Sequence, residues 1–152
     1  MMISEARKIA KEYPNVKLWE TNVDAMCMWL VKNPQDYDVL VSSNMFGDII
    51  SDLCAQLVGG LGFAASGNIG DKLAVFEPTH GSAPKYAGQY KVNPMAMLQS
   101  VRLMLDWLGE KEDAANLDAA IASVVKEGKT KTYDMGGKNT TLEVAREVAG
   151  KL

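Results

Sequence analysis

A layered α/β fold is what this sequence predicts, from three observations. Short apolar runs occur at 16–19, 39–41 and 73–76, and amphipathic helical patterns alternate with them. Proline or glycine punctuates the junctions at Pro14, Pro34 and Gly59–Gly62. The chain has 152 residues, 47% hydrophobic and 23% charged, which is enough for an ordinary domain with a buried core.

Taken in order, residues 4–13 predict a polar-faced helix stopped by Pro14-Asn15, and Val16-Lys17-Leu18-Trp19 alternates as a short strand. A second helix is expected over 23–31 with Met26 and Leu30 inward, then a buried strand at Val39-Leu40-Val41. Ser43 or Asn44 can cap a helix over about 45–57 whose Ile49 and Leu53 face the core. Residues 63–72, rich in Gly, Ser and Asn, read as loop before a strand at Leu73-Ala74-Val75-Phe76 and a long loop over 77–92. Asn93-Pro94 begins a helix to Leu108 that Gly109 stops. Leu117, Ile121 and Val124 mark the inner face of another over 113–127, and a last helix is expected over about 140–148.

The formal net charge is −3, with Lys and Arg scattered, so no basic stripe points to nucleic acid. No apolar run approaches the roughly 18 residues of a membrane span, and the N-terminus is amphipathic rather than signal-like. Cys27 and Cys54 form no CxxC or framework, which suits packed thiols in a reducing compartment. These features predict a soluble, cytoplasmic protein with neither nucleic-acid nor membrane partners.

Asp48 and Asp52 lie four apart on a predicted helix, so both carboxylates share one face. Such pairs are also common on solvated helices. The position just after an apolar strand favours ligation, because α/β proteins collect ligand groups at strand carboxyl ends. A hard divalent ion takes oxygen ligands and leaves positions open, and Gly47 lets another surface come close. Asp24 is a third candidate carboxylate, although an acid is also favoured there by the helix dipole. The loop Glu77 to Gly88 holds the only His, His80, among Gly and Pro with Lys85 and Tyr86, a setting suited to a nucleotide's phosphates and ribose. Neither a GxGxxG fingerprint nor a P-loop is present, so any dinucleotide site is not of the standard Rossmann kind.

The segments Asn44 to Asp52, Ala55 to Asp71 and Glu77 to Pro94 together resemble the β-decarboxylating dehydrogenases, the isocitrate/isopropylmalate dehydrogenase family. The Gly67-Asn68-Ile69-Gly70-Asp71 element and the His80-to-Gly88 loop look closest to isocitrate dehydrogenase; isopropylmalate dehydrogenases usually carry Asp-Ile at Lys85-Tyr86. The resemblance implies an α/β/α sheet that is incomplete, with 1–152 forming the C-terminal portion: a metal-site segment over about 16–72, then the cofactor loop and C-terminal helices over about 73–152. It implies that Asp48 and Asp52 hold Mg²⁺ or Mn²⁺ and that Asp24 reaches the metal of a partner subunit. His80, Gly81 and Asn93 are implied to contact the cofactor's adenosine part, with Ser82 and Ala83 also binding the cofactor and Lys85 and Tyr86 beside the ribose 2′ position. A cation there leans towards NADP over NAD, whereas the arginine that NADP-preferring members place beyond the residue matching Tyr133 falls at Gly136-Gly137.

The implied reaction is hydride transfer from a 2-hydroxy acid to NAD(P)⁺ with decarboxylation, a step of the tricarboxylic acid cycle if the acid is isocitrate. Family members are more than twice this length. The substrate-binding Ser and Arg cluster and the catalytic Tyr and Lys fall in the N-terminal portion, so no catalytic residue is assigned here. The chain is expected to be inactive alone and to act as a homo-oligomer or with a complementary half. A free-standing nucleotide-binding module is the alternative.

Overall fold

The computed structural model describes residues 1–152, which form two compact units, Met1–Leu57 and Val58–Leu152. In the first, α1 (Met2–Ile9) runs into a 3₁₀ turn at Ala10–Glu12 and stops ahead of Pro14. Proline disfavours helical backbone in the residue before it, and Tyr13 has left the helical region. Helix α2 (Val23–Lys32) buries Met26 and Leu30, one turn apart on the face that meets α3 (Asn44–Leu57).

Two expected strands do not form. Residues 16–19 and 39–41 form no strand and pair with nothing, and Val39 and Val41 are each 78% exposed. Their apolar, β-branched composition is that of strands; a strand also needs a hydrogen-bonding neighbour, and no segment of this unit supplies one. Ile49 is likewise exposed rather than inward; the residue of α3 that is buried is Ala55.

The second unit holds the larger core. Strands β1 (Ala65–Ile69) and β2 (Ala74–Pro78) pair antiparallel, with Ala65 opposite Pro78 and Ile69 opposite Ala74. Strand β1 lies in the stretch expected to be loop: Gly, Ser and Asn have weak strand preference, but the pairing partner overrides it. Helices α4 (Met95–Leu108), α5 (Lys111–Glu127) and α6 (Thr141–Ala149) follow, and α4 packs on both the hairpin and α5. Met95, Leu117, Ile121, Val124, Val144 and Val148 are buried together, with Phe63, Leu98, Val101 and Leu105 against them. Leu117, Ile121 and Val124, at i, i+4 and i+7, thus face inward as expected. Gly109 and Gly128 end α4 and α5 in left-handed conformation, as C-terminal glycines do.

Helix α6 begins with a reciprocal capping box: the Glu143 backbone N–H donates to Thr140 Oγ1, and the Thr140 backbone N–H donates to Glu143 Oε2 at 2.6 Å. Thr140→Ala is expected to lower stability by about 1 kcal/mol and Thr140→Ser far less, measurable by urea denaturation. The Thr140 backbone N–H, then its hydroxyl, hold the Glu143 carboxyl below its usual 4.5. A depressed carboxyl stabilises above the unfolded value and loses that contribution as pH falls through the folded one. The gain from Thr140 is therefore expected to shrink below about pH 4.5 and to be insensitive to pH in Glu143→Gln.

Candidate functional site

Two groups of residues carry candidate chemistry, one in each unit. In the first, Asp48 and Asp52 project from the same face of α3, and both are exposed. Neither enters a salt bridge. Asp48 Oδ2 accepts one long bond, 3.4 Å, from Asn44 Nδ2, and Ser51 donates to the Asp48 backbone carbonyl. Two like charges a turn apart with uncommitted lone pairs suit a hard cation that retains open positions. Any Cβ at 47 would lie 3.1 Å from Ser42 Oγ, so Gly47 keeps the start of this helix close to the preceding segment. Asp24 is exposed in the first turn of α2. No three His, Cys, Asp or Glu side chains converge, so Asp24 does not join the pair within one chain.

The second group is the 77–92 loop, tied down at both ends. The Thr79 N–H donates to the Ala64 carbonyl at 3.0 Å, prolonging the hairpin. At the far end the Thr141 N–H donates to Tyr90 O at 2.7 Å and its hydroxyl to Val92 O, which fastens the loop to the start of α6. Between these anchors Ala83 adopts φ 45°, and a 3₁₀ turn at Pro84–Tyr86 follows, closed by Tyr86 N–H to Ala83 O and Gln89 Nε2 to Lys85 O. Half-buried His80 places Nδ1 2.9 Å from Gly81 O. A carbonyl only accepts, so Nδ1 carries the proton in that bond and the neutral ring offers Nε2 as an acceptor. Gly81 and Ser82 are exposed, with open space on the Cβ side of Gly81.

Around Tyr86 the structure adds two residues to those expected. The Tyr86 and Tyr133 rings lie 5.7 Å apart, Lys85 Nζ stands 4.8 Å from the Tyr86 centroid, and Lys91 Nζ lies 5.2 Å and 4.8 Å from the Tyr86 and Tyr133 centroids. Hydrogen bonding from the Tyr133 hydroxyl, then from Lys85, pulls the Tyr86 phenol below its usual range, and the same contact pushes Tyr133 up. Asn93 is buried rather than presented. Its Oδ1 accepts from the Met95 N–H at 3.0 Å, which starts α4, and its Nδ2 donates to Asp134 Oδ2 at 2.9 Å. One amide hydrogen is left for a ligand. Asp134 Oδ1 accepts from buried Thr132, and a Cβ on Gly62 would meet the Asp134 carboxylate at 2.8 Å and the Asn93 amide at 3.0 Å, so glycine at 62 lets these two side chains pack over it undisplaced.

Lys91 and Asp134 escaped sequence reasoning; the signal for Lys91 was its place two residues before the Asn93-Pro94 helix start. A cavity of about 440 Å³ beside the hairpin, lined by Phe76, Trp107 and the Asp106–Lys111 ion pair among others, contains none of the candidate residues. No helix is long and apolar enough to cross a membrane.

The sequence profile described as isocitrate/isopropylmalate dehydrogenase matches residues 2–148. A 3-isopropylmalate dehydrogenase of Archaeoglobus fulgidus is 48% identical over 96% of this chain and 44% of its own length. A probable mitochondrial isocitrate dehydrogenase (NAD) subunit alpha of Caenorhabditis elegans is 43% identical over 100% of this chain and 42% of its own. The crystal structure of isocitrate dehydrogenase from Methylococcus capsulatus superposes with a TM-score of 0.93 at 40% identity, covering 98% of this chain and 44% of that one. The chain therefore spans less than half the length of these relatives and has the fold of the corresponding part, an incomplete α/β domain.

Proposed function

This chain belongs to the isocitrate/isopropylmalate dehydrogenase family, and from that premise we propose that it serves oxidative decarboxylation of isocitrate to 2-oxoglutarate as part of a longer or split enzyme. The observation that carries the substrate choice is the cofactor loop, whose Lys85 and Tyr86 stand where isopropylmalate dehydrogenases usually have Asp-Ile. The 48% identity to an isopropylmalate dehydrogenase favours the second reading, a portion of an enzyme for isopropylmalate or a homologous acid.

Asp48 and Asp52 are the proposed ligands of Mg²⁺ or Mn²⁺, with Asp24 directed to the metal of a partner subunit. Their open carboxylates support this. When bound, such an ion supplies Lewis acidity at the substrate oxygen. His80, Gly81 and Asn93 hold the adenosine part of NADP or NAD, Ser82 and Ala83 add to the cofactor site, and Lys85 with Tyr86 reads the 2′ position. His80 Nε2 is the acceptor for a nucleotide hydroxyl or amino group.

The lone chain is proposed to be inactive. A tricarboxylate needs several cations, yet Arg7 is bound bidentately by Glu20 at 2.6 and 2.8 Å and Arg102 lies 3.8 Å from Asp118. The exposed 39–41 segment supports association with a second copy or a complementary half, in the cytoplasm. Calorimetry with NADP⁺, NAD⁺ and Mn²⁺ tests the ligand assignment. Isocitrate and isopropylmalate oxidation should then be assayed with and without the N-terminal half of a longer family member. Binding by the chain and isocitrate turnover only with the added half is the expected result. Absence of all binding removes the ligand assignment, turnover by the chain alone removes its incompleteness, and faster isopropylmalate oxidation reverses the substrate.

A further inference from the structure

We infer that Asn44 is a positioning residue of the metal site: its amide occupies one oxygen of Asp48, so that this carboxylate meets an ion through a single oxygen and the site favours Mg²⁺ or Mn²⁺ over Ca²⁺. The inference rests on the proposed role of Asp48 and Asp52 and deepens it. Asn44, Asp48 and Asp52 follow one another at intervals of four along α3 and share one face. Asn44 Nδ2 lies 3.4 Å from Asp48 Oδ2, a slack bond between exposed groups, and no other side chain bonds to either carboxylate. A carboxylate only accepts, so the amide NH₂ is the group that faces it. The hydroxyls nearby are committed to backbone carbonyls: Ser42 donates to Ser43 O at 3.0 Å and Ser51 to Asp48 O at 3.1 Å. Asp48 Oδ1 and both oxygens of Asp52 are left free.

That division of Asp48 bears on which ion fits. Ca²⁺ is large, gathers many oxygens in loose geometry and accepts carboxylates through both oxygens, whereas Mg²⁺ holds to an octahedron, keeps several waters and takes one or two carboxylates. Mn²⁺ also suits octahedral oxygen sites. With Oδ2 engaged by Asn44, Asp48 offers the smaller ions the one oxygen they need and denies Ca²⁺ the second. Groups that orient metal ligands are worth about 10- to 100-fold in affinity, so a single amide at this place is enough to set a preference.

The test is calorimetric titration of the full chain with Mn²⁺ and with Ca²⁺, for wild type, Asn44→Leu and Asn44→Gln. Leucine is close to asparagine in size and has no donor; glutamine returns the amide, since Gln and Asp one turn apart on a helix bond to each other. Wild type is expected to bind Mn²⁺ more tightly than Ca²⁺. Asn44→Leu should weaken Mn²⁺ about tenfold while Ca²⁺ stays within about twofold or tightens, and Asn44→Gln should restore the wild-type preference. The melting temperature of the metal-free chain checks the fold of each variant. Equal loss of both ions in Asn44→Leu would make Asn44 an ordinary ligand or a support for the helix and overturn the inference. So would a glutamine variant that behaves like the leucine one, or a wild type that binds Ca²⁺ as tightly as Mn²⁺. If Mn²⁺ binds wild type and Asn44→Leu equally, Asn44 loses this role while Asp48 and Asp52 keep theirs. If wild type binds no Mn²⁺, both fall together.

Discussion

Gly137→Ala is expected to destabilise the Val58–Leu152 unit by about 3 kcal/mol or more, a loss of roughly 12 °C in its melting temperature. The added Cβ meets main chain, the carbonyl of Lys131, and not the movable end of a side chain. That carbonyl accepts from the Asn139 N–H at 2.9 Å, and the Gly137 N–H donates to Thr132 O at 2.8 Å, so neither strand of the turn can retreat without breaking a bond. Gly136 is the internal control. It has φ 76° and open space on its Cβ side, so Gly136→Ala is charged only for left-handed backbone, about 1 kcal/mol. Equal losses for the two variants by thermal denaturation would show that the turn relaxes freely.

The double substitution Asp48→Asn, Asp52→Asn is expected to reduce Mn²⁺ affinity by at least about 100-fold, because even groups that merely orient metal ligands are worth up to that much. Calorimetry reads this without turnover. The fold is expected to respond in the opposite sense: like charges at i and i+4 cost a few tenths of a kcal/mol, so the metal-free variant should be no less stable than wild type. A variant that melts early and binds Mn²⁺ normally would make these two residues ordinary helix-surface acids.

The helices were legible because each carries its own information. α5 announces its inner face through Leu117, Ile121 and Val124 and its end through Gly128. Strands depend on partners elsewhere, and there local reading failed in both directions. Val39–Val41 has strand composition and no neighbour, whereas Ala65–Ile69 has loop composition and pairs with 74–78. The candidate site divides in the same way. Asp48 and Asp52 are visible from one helix period. Lys91 over Tyr133 and Asn93 on Asp134 join residues some forty positions apart, and nothing in either segment alone signals the meeting.

The bonds that fasten the 77–92 loop to the segment after α5 also set an order of events. Tyr86 lies tilted against Tyr133, Asn93 holds Asp134, and Val92 receives Thr141, so the proposed nucleotide-binding surface is made from two stretches between which α4 and α5 must first pack. During synthesis from the N-terminus, the loop emerges well before the residues that shape it. Under the proposed function, nucleotide recognition by this unit would report that its C-terminal helix has docked, and a protease cut near Lys131 would abolish it while leaving every residue of the loop in place.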